Sequence, residues 1–91
     1  MPMNQLRIIV SGRVQGVFFR ASARDIAVRL GLKGYVKNLE NGDVEIVAQG
    51  ETKDLAALIG FCNRGPPAAQ VEKVEVKKEE LKEKFSEFGV R

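Results

Sequence analysis

The chain contains no histidine and no tryptophan, one cysteine (Cys62) and one tyrosine (Tyr35). Without histidine it lacks the side chain that most often moves protons near neutral pH. A single cysteine excludes a disulfide within the chain, and with no histidine beside it cannot build a zinc site. Aromatic residues make up 7% of the sequence, a thin supply for stacking bases. No apolar run approaches the roughly 20 residues needed to span a bilayer. The start, Met1-Pro2-Met3-Asn4-Gln5, has neither the basic opening nor the apolar centre of a secretion signal. These absences lead us to expect no metal, no cofactor, no nucleic-acid partner, no membrane partner and a cytoplasmic location.

What is present is an ordinary globular composition. Of the 91 residues, 44% are hydrophobic and 30% charged. A chain of this length buries roughly two-thirds or less of its unfolded surface, enough for one modest core without staples. We therefore expect residues 1–91 to form a single domain, most simply a monomer. The net charge is +3, and its placement is uneven. Arg7, Arg13, Arg20, Arg24, Arg29, Lys33 and Lys37 crowd the first part of the chain against one acid, Asp25. Such a positive field draws small anions, although helix arginines are more often simply solvated.

The chain is organised around Ser11-Gly12-Arg13-Val14-Gln15-Gly16-Val17-Phe18-Phe19-Arg20. Leu6, Ile8 and Val10 alternate into it as a strand would. Phe19, Ala23, Ile26, Ala27 and Leu30 lead out at helical spacing. The stretch is thus a strand-to-helix turn, which aims backbone N–H groups at one spot beside the positive end of a helix dipole. A guanidinium at Arg20, in the first helical turn, is disfavoured by that dipole. A phosphate held between Arg20 and the loop would remove the conflict. Turns of this kind also occur with no ligand, and spacing alone does not choose. No Gly-Lys-Ser/Thr follows, no third glycine completes a dinucleotide fingerprint, and no cysteine stands five residues before an arginine.

Read in order, the pattern predicts a strand over Gln5 to Gly12, a helix over Phe19 to Leu30 ended by Gly31, and a strand over Leu32 to Leu39. Glu40-Asn41-Gly42-Asp43 is the clearest turn, with Asn-Gly suited to a two-residue type I′ hairpin. Val44 to Gln49 pairs back, and a second helix spans Thr52 to Asn63 with Leu55, Leu58, Ile59 and Cys62 on its apolar stripe. That places Cys62 in the core rather than at a reactive position. Arg64-Gly65-Pro66-Pro67 breaks the helix; Val71 to Val76 is a charged strand with Val71 out of phase; Lys77 to Glu87 reads as a solvated, partly irregular segment. Phe85, Phe88 and Val90 are placed to tack the end of the chain to the body. The order βαββαβ is an α+β, ferredoxin-like sandwich: an antiparallel sheet with both helices on one face. The end of the first strand then lies centrally, an arrangement that allows Asn38 to lie close to the loop without requiring it.

These residues resemble the acylphosphatase family. The match is carried by Gly12 to Arg20, by Gly34-Tyr35-Val36-Lys37-Asn38, and by Asn41-Gly42-Asp43-Val44-Glu45. Weaker agreement runs through Gly50, Gly65-Pro66-Pro67, Val71, Val74 and the closing Gly89-Val90-Arg91, similar to the family's short last strand. The resemblance implies a metal-independent hydrolase that cleaves the carboxyl–phosphate bond of acyl phosphates to carboxylate and inorganic phosphate. It implies that Arg20 binds the phosphoryl group and Asn38 orients the attacking water. It places a phosphate-binding cradle at the backbone N–H groups of Gln15, Gly16, Val17, Phe18 and Phe19. Inorganic phosphate or sulfate would then be product-like ligands. The chemistry suits a chain without histidine, because transfer to a good leaving group needs chiefly positioning and charge stabilisation.

Other readings compete. Lys33-Gly34-Tyr35-Val36 faintly echoes an RNA-recognition consensus, but Lys37 and Leu39 stand where stacking rings belong. A phosphate-sensing module would keep the cradle without turnover. A strand asparagine near a turn is commonly a local hydrogen-bonder. Retention of both Arg20 and Asn38 favours the enzyme.

Overall fold

A computed structural model describes residues 3–91. The elements are β1 (Asn4–Arg13), α1 (Phe19–Arg29), β2 (Lys33–Asn38), β3 (Val44–Gly50), α2 (Thr52–Arg64), β4 (Gln70–Glu79) and β5 (Phe88–Val90). They form one sheet in the order β4-β1-β3-β2-β5. The interleaving follows from two crossovers: β3 is inserted between β1 and β2, and β1 between β3 and β4. The pairs β1–β3, β1–β4 and β2–β3 are antiparallel, as expected. The short β5 adds a parallel pair at the β2 edge, so the sheet as a whole is mixed.

One face of the sheet carries the core. Ile8, Val10, Val36, Val44, Ile46 and Ala48 alternate onto it and are fully buried under the helices. Helix α1 contributes Phe19, Ala23 and Ala27, one per turn, and α2 contributes Leu55, Leu58, Phe61 and Cys62. The Phe19 and Phe61 rings meet at 5.5 Å between centroids and lock the two helices together. Burial pushes the Cys62 thiol up to about 12, which makes it a packing residue. At the end of α1 the Gly31 N–H donates to Val28 and the Leu32 N–H to Ala27. This is a Schellman turn, and it requires the left-handed backbone that Gly31 supplies (φ 73°).

Two details depart from the sequence reading. The β2–β3 hairpin is not a two-residue Asn-Gly turn. The Leu39 N–H bonds the Asp43 carbonyl at 2.8 Å, and the Gly42 N–H bonds Leu39 at 3.2 Å, leaving a three-residue loop. Gly42, but not Asn41, takes the positive φ, while the Asn41 amide is engaged with Asp43. Second, β4 gains an extra residue opposite Ser11 and Gly12: Lys73 pairs Ser11 and Val71 pairs Gly12. That bulge reverses the alternation, so Val71 and Val74 both pack on the core although their spacing is out of phase.

The other sheet face is largely polar and only partly covered. Residues 80–87 cross it between β4 and β5, irregular and mostly exposed as the sequence suggests, with Phe85 half-buried; Lys77–Glu79, read as part of that segment, belong instead to β4. The fully buried Gln49 amide holds this strap by accepting from the Phe85 N–H at 3.1 Å and donating to the Glu83 carbonyl at 2.6 Å. Beneath it, Arg7 bridges Glu45 (2.6 Å) and Glu79 (2.7 Å), and the Phe85 ring meets Tyr35 edge-on at 5.8 Å.

Candidate active site

The loop between β1 and α1 is built from alternating left-handed backbone. Gly16 has φ 74° and Phe18 has φ 66°, the one non-glycine residue with positive φ among the described residues. Alternation of this kind turns successive N–H groups toward a common concavity. Helix α1 starts at once after Phe18, with no side-chain cap and no acid in its first turn. Its first N–H groups therefore have no side-chain partner of the usual capping type.

A cleft of about 340 Å³ opens at this point, lined by Val14, Gly16, Phe18, Phe19, Arg20, Ala21, Asn38 and Val90. The structure thus brings Arg20 and Asn38 to one cavity from two elements, α1 and β2. Of the cradle residues named from the sequence, Gly16, Phe18 and Phe19 line the cleft directly. Gln15 and Val17 sit in the same loop with side chains turned elsewhere: Val17 is buried in the core and Gln15 reaches the hairpin. The only polar side chains in the lining are Arg20 and Asn38; none is a carboxylate or thiol. Among the described residues, no group of three or more His, Cys, Asp or Glu side chains converges to hold a metal ion.

The two polar side chains of the lining sit in different surroundings. The Arg20 Nη1 makes a long, exposed hydrogen bond of 3.3 Å to the backbone oxygen of Arg91, the residue after β5. Arg91 is anchored in turn: its N–H donates to Val36 at 2.8 Å and its guanidinium lies 4.0 Å over the Tyr35 ring. The Asn38 Oδ1 is buried and has no hydrogen-bond partner among the described residues. An orphaned buried acceptor ordinarily costs about 1–3 kcal/mol, so it marks a position where the fold does not optimise stability. The Gln15 amide donates to both Leu39 (2.8 Å) and Asp43 (2.9 Å), tying the loop to the hairpin that carries Asn38.

Two of these features lie beyond sequence reasoning. The motif gives Gln15 only a backbone role, yet its side chain is the strut between the two halves of the cleft. Val90 reads in the sequence as a tack for the chain end, yet it is 46% exposed and forms part of the cleft wall. Nothing in spacing marks either residue, because both roles depend on where β2 and β5 fall in the sheet.

A family model described as Acylphosphatase matches residues 6–90. An acylphosphatase from Methylococcus capsulatus is 46% identical over 88 residues, covering 97% of this chain and 96% of that one. One from Aeropyrum pernix is 50% identical over 86 residues, covering 93% and 85%. Among solved structures, an acylphosphatase from Coxiella burnetii superposes with a TM-score of 0.93 at 45% identity, covering 98% of this chain and 93% of that one.

Proposed function

The chain belongs to the acylphosphatase family, and on that premise we propose how its cleft cleaves the carboxyl–phosphate bond and which residues do so. The protein is an acylphosphatase, an enzyme that hydrolyses small-molecule acyl phosphates.

Backbone N–H groups of Gln15, Gly16, Val17, Phe18 and Phe19 surround the phosphoryl oxygens, and Arg20 takes two of them with its planar fork. The favourable field of the α1 N-terminus then acts on the phosphate, and the phosphate offsets the repulsion between that field and Arg20. Asn38 Oδ1 accepts a hydrogen bond from the attacking water and aims its oxygen at phosphorus, in line with the departing carboxylate. The water's proton passes to a phosphoryl oxygen, so the step needs no protein base. Inorganic phosphate leaves last, and phosphate or sulfate occupies the cradle as a product-like ligand. The reaction needs no metal on this reading. We also read residues 1–91 as one domain, a monomer working in the cytoplasm. No helix among the described residues is long and apolar enough to cross a membrane.

The observation that carries the mechanism is the pairing of Arg20 with the orphaned Asn38 Oδ1 in one cleft whose lining has no proton-donating acid. A carboxylate leaves without help, because its conjugate acid has a pKa of about 4. An alkoxide, with a conjugate acid near the roughly 15.7 of water, ordinarily needs a proton or a metal. Side-by-side assays with a chelator present, comparing acetyl or benzoyl phosphate with a serine-type alkyl phosphate, test this. Turnover confined to the acyl phosphates is expected; comparable kcat/KM for both classes would mean a general acid operates, with Asp25, Glu40 and Asp43 the first to examine.

A further inference from the structure

Reading the cleft as an acyl phosphate site leaves the acyl group unassigned, and any subsite for that group rests on that reading. Among the described residues, the large apolar side chains that remain exposed are Met3, Phe18, Val28, Val76 and Val90. Two of them, Phe18 and Val90, line the same cleft as Arg20 and Asn38, although they come from opposite ends of the chain. Phe18 is the most exposed of these five, at 80%. It also has a left-handed backbone, which an aromatic residue adopts only at a cost that glycine or asparagine would avoid. Its ring recovers almost nothing by packing within the protein. An aromatic side chain that is both strained and uncovered, at the mouth of a cleft, has the character of a ligand contact.

We propose that Phe18 and Val90 form the acyl subsite, and that it selects acyl phosphates with an aromatic or extended apolar body. Ala21 and Val14 continue the apolar wall, and Arg20 and Asn38 are engaged with the phosphoryl group and water. The lining therefore has no further side chain to receive a second charge or hydroxyls on the acyl chain. With phosphorus held over the cradle, the carboxyl oxygen points outward and its substituent lies between the Phe18 ring and Val90.

The test is a series of straight-chain acyl phosphates from acetyl to hexanoyl, whose leaving groups differ little in acidity, so that the trend in kcat/KM reports binding of the chain. For the wild-type protein kcat/KM should rise by up to about fourfold per added methylene. In Phe18→Asn, which keeps a residue tolerant of positive φ, the hexanoyl-to-acetyl ratio should fall about tenfold. The ratio cancels any change in the cradle common to both substrates. Val90→Ser, on β5 and outside the cradle, should lower the same ratio and provides the measurement if Phe18→Asn turns over too slowly. A flat series in the wild-type, or a ratio unchanged in these variants, would overturn the subsite. Failure of the wild-type to cleave any member would instead overturn the reading of the cleft, and the subsite with it.

Discussion

The side-chain amide of Gln15 donates to the carbonyl oxygen of Leu39 at 2.8 Å, joining residues 24 apart in sequence. A second bond from the same nitrogen reaches the Asp43 carbonyl at 2.9 Å. The loop that carries the cradle is thereby tied to the turn that follows Asn38. Gln15→Ala should cost about 1–2 kcal/mol for the two bonds and lower Tm by several degrees. A reacting group displaced by about 1 Å can lose roughly 10²-fold in rate, so kcat should fall on the order of tenfold or more while phosphate affinity stays within a few-fold. Calorimetry and steady-state kinetics separate the two. A wild-type kcat at reduced Tm would show that the hairpin holds Asn38 without the strut.

Asn38 is expected to serve turnover at no benefit to the fold. Asn38→Ala should lower kcat on the order of 10²-fold or more, with phosphate affinity within a few-fold by calorimetry. Because the Oδ1 it removes is already unsatisfied, stability should hold or rise, by up to about 1–3 kcal/mol. A matching collapse of phosphate affinity would contradict the assigned role. A large loss of Tm would make the residue structural.

The strain at Phe18 predicts a stability change of opposite sign to most substitutions. A left-handed backbone costs an ordinary residue about 1–2 kcal/mol, and asparagine bears it more easily. With the ring 80% exposed there is little burial to lose. Phe18→Asn should raise Tm by several degrees in a thermal melt. A fall would mean that the ring is packed in solution.

Acid stability should depend on the partly covered sheet face. The hydrogen bond from Arg7 holds the Glu79 carboxyl below the usual carboxylate range, helped by Gln5 and opposed by partial burial. A depressed folded pKa stabilises the protein above the unfolded value of about 4.5 and is lost as pH falls through the folded one. Melts of the wild-type should therefore show Tm falling below pH 4.5, and Glu79→Gln should flatten that limb while lowering Tm near neutrality. Parallel curves for the two proteins would contradict the linkage.

Local rules make most of the fold legible. Alternation of Leu6, Ile8 and Val10 and the helical spacing from Phe19 to Leu30 reappear in β1 and α1 with ends shifted by a residue or so. In residues 80–87 local pattern marks only Phe85, as a tack for the chain end, and not the path the segment takes over the sheet. Their tether is Gln49, a strand residue whose value lies in being fully buried under a segment more than 30 residues away. Val71 looks out of phase in the sequence because a bulge depends on the partner strand. At the site, Arg20 and Asn38 are visible as residue types in motifs, and Arg20 also as a cation at the wrong end of a helix. Gln15 and Val90 are not, since each acts through a neighbour that only the sheet order supplies.

The central claim is that Arg20, held at the α1 N-terminus, binds and stabilises the phosphoryl group undergoing transfer. The direct measurement is kcat/KM for benzoyl phosphate with a chelator present, in the wild-type, Arg20→Lys and Arg20→Gln proteins. The predicted result is efficient metal-free turnover by the wild-type and a loss on the order of 10²-fold or more in both variants, since an ammonium cannot supply the planar fork. Wild-type turnover in Arg20→Gln would contradict it.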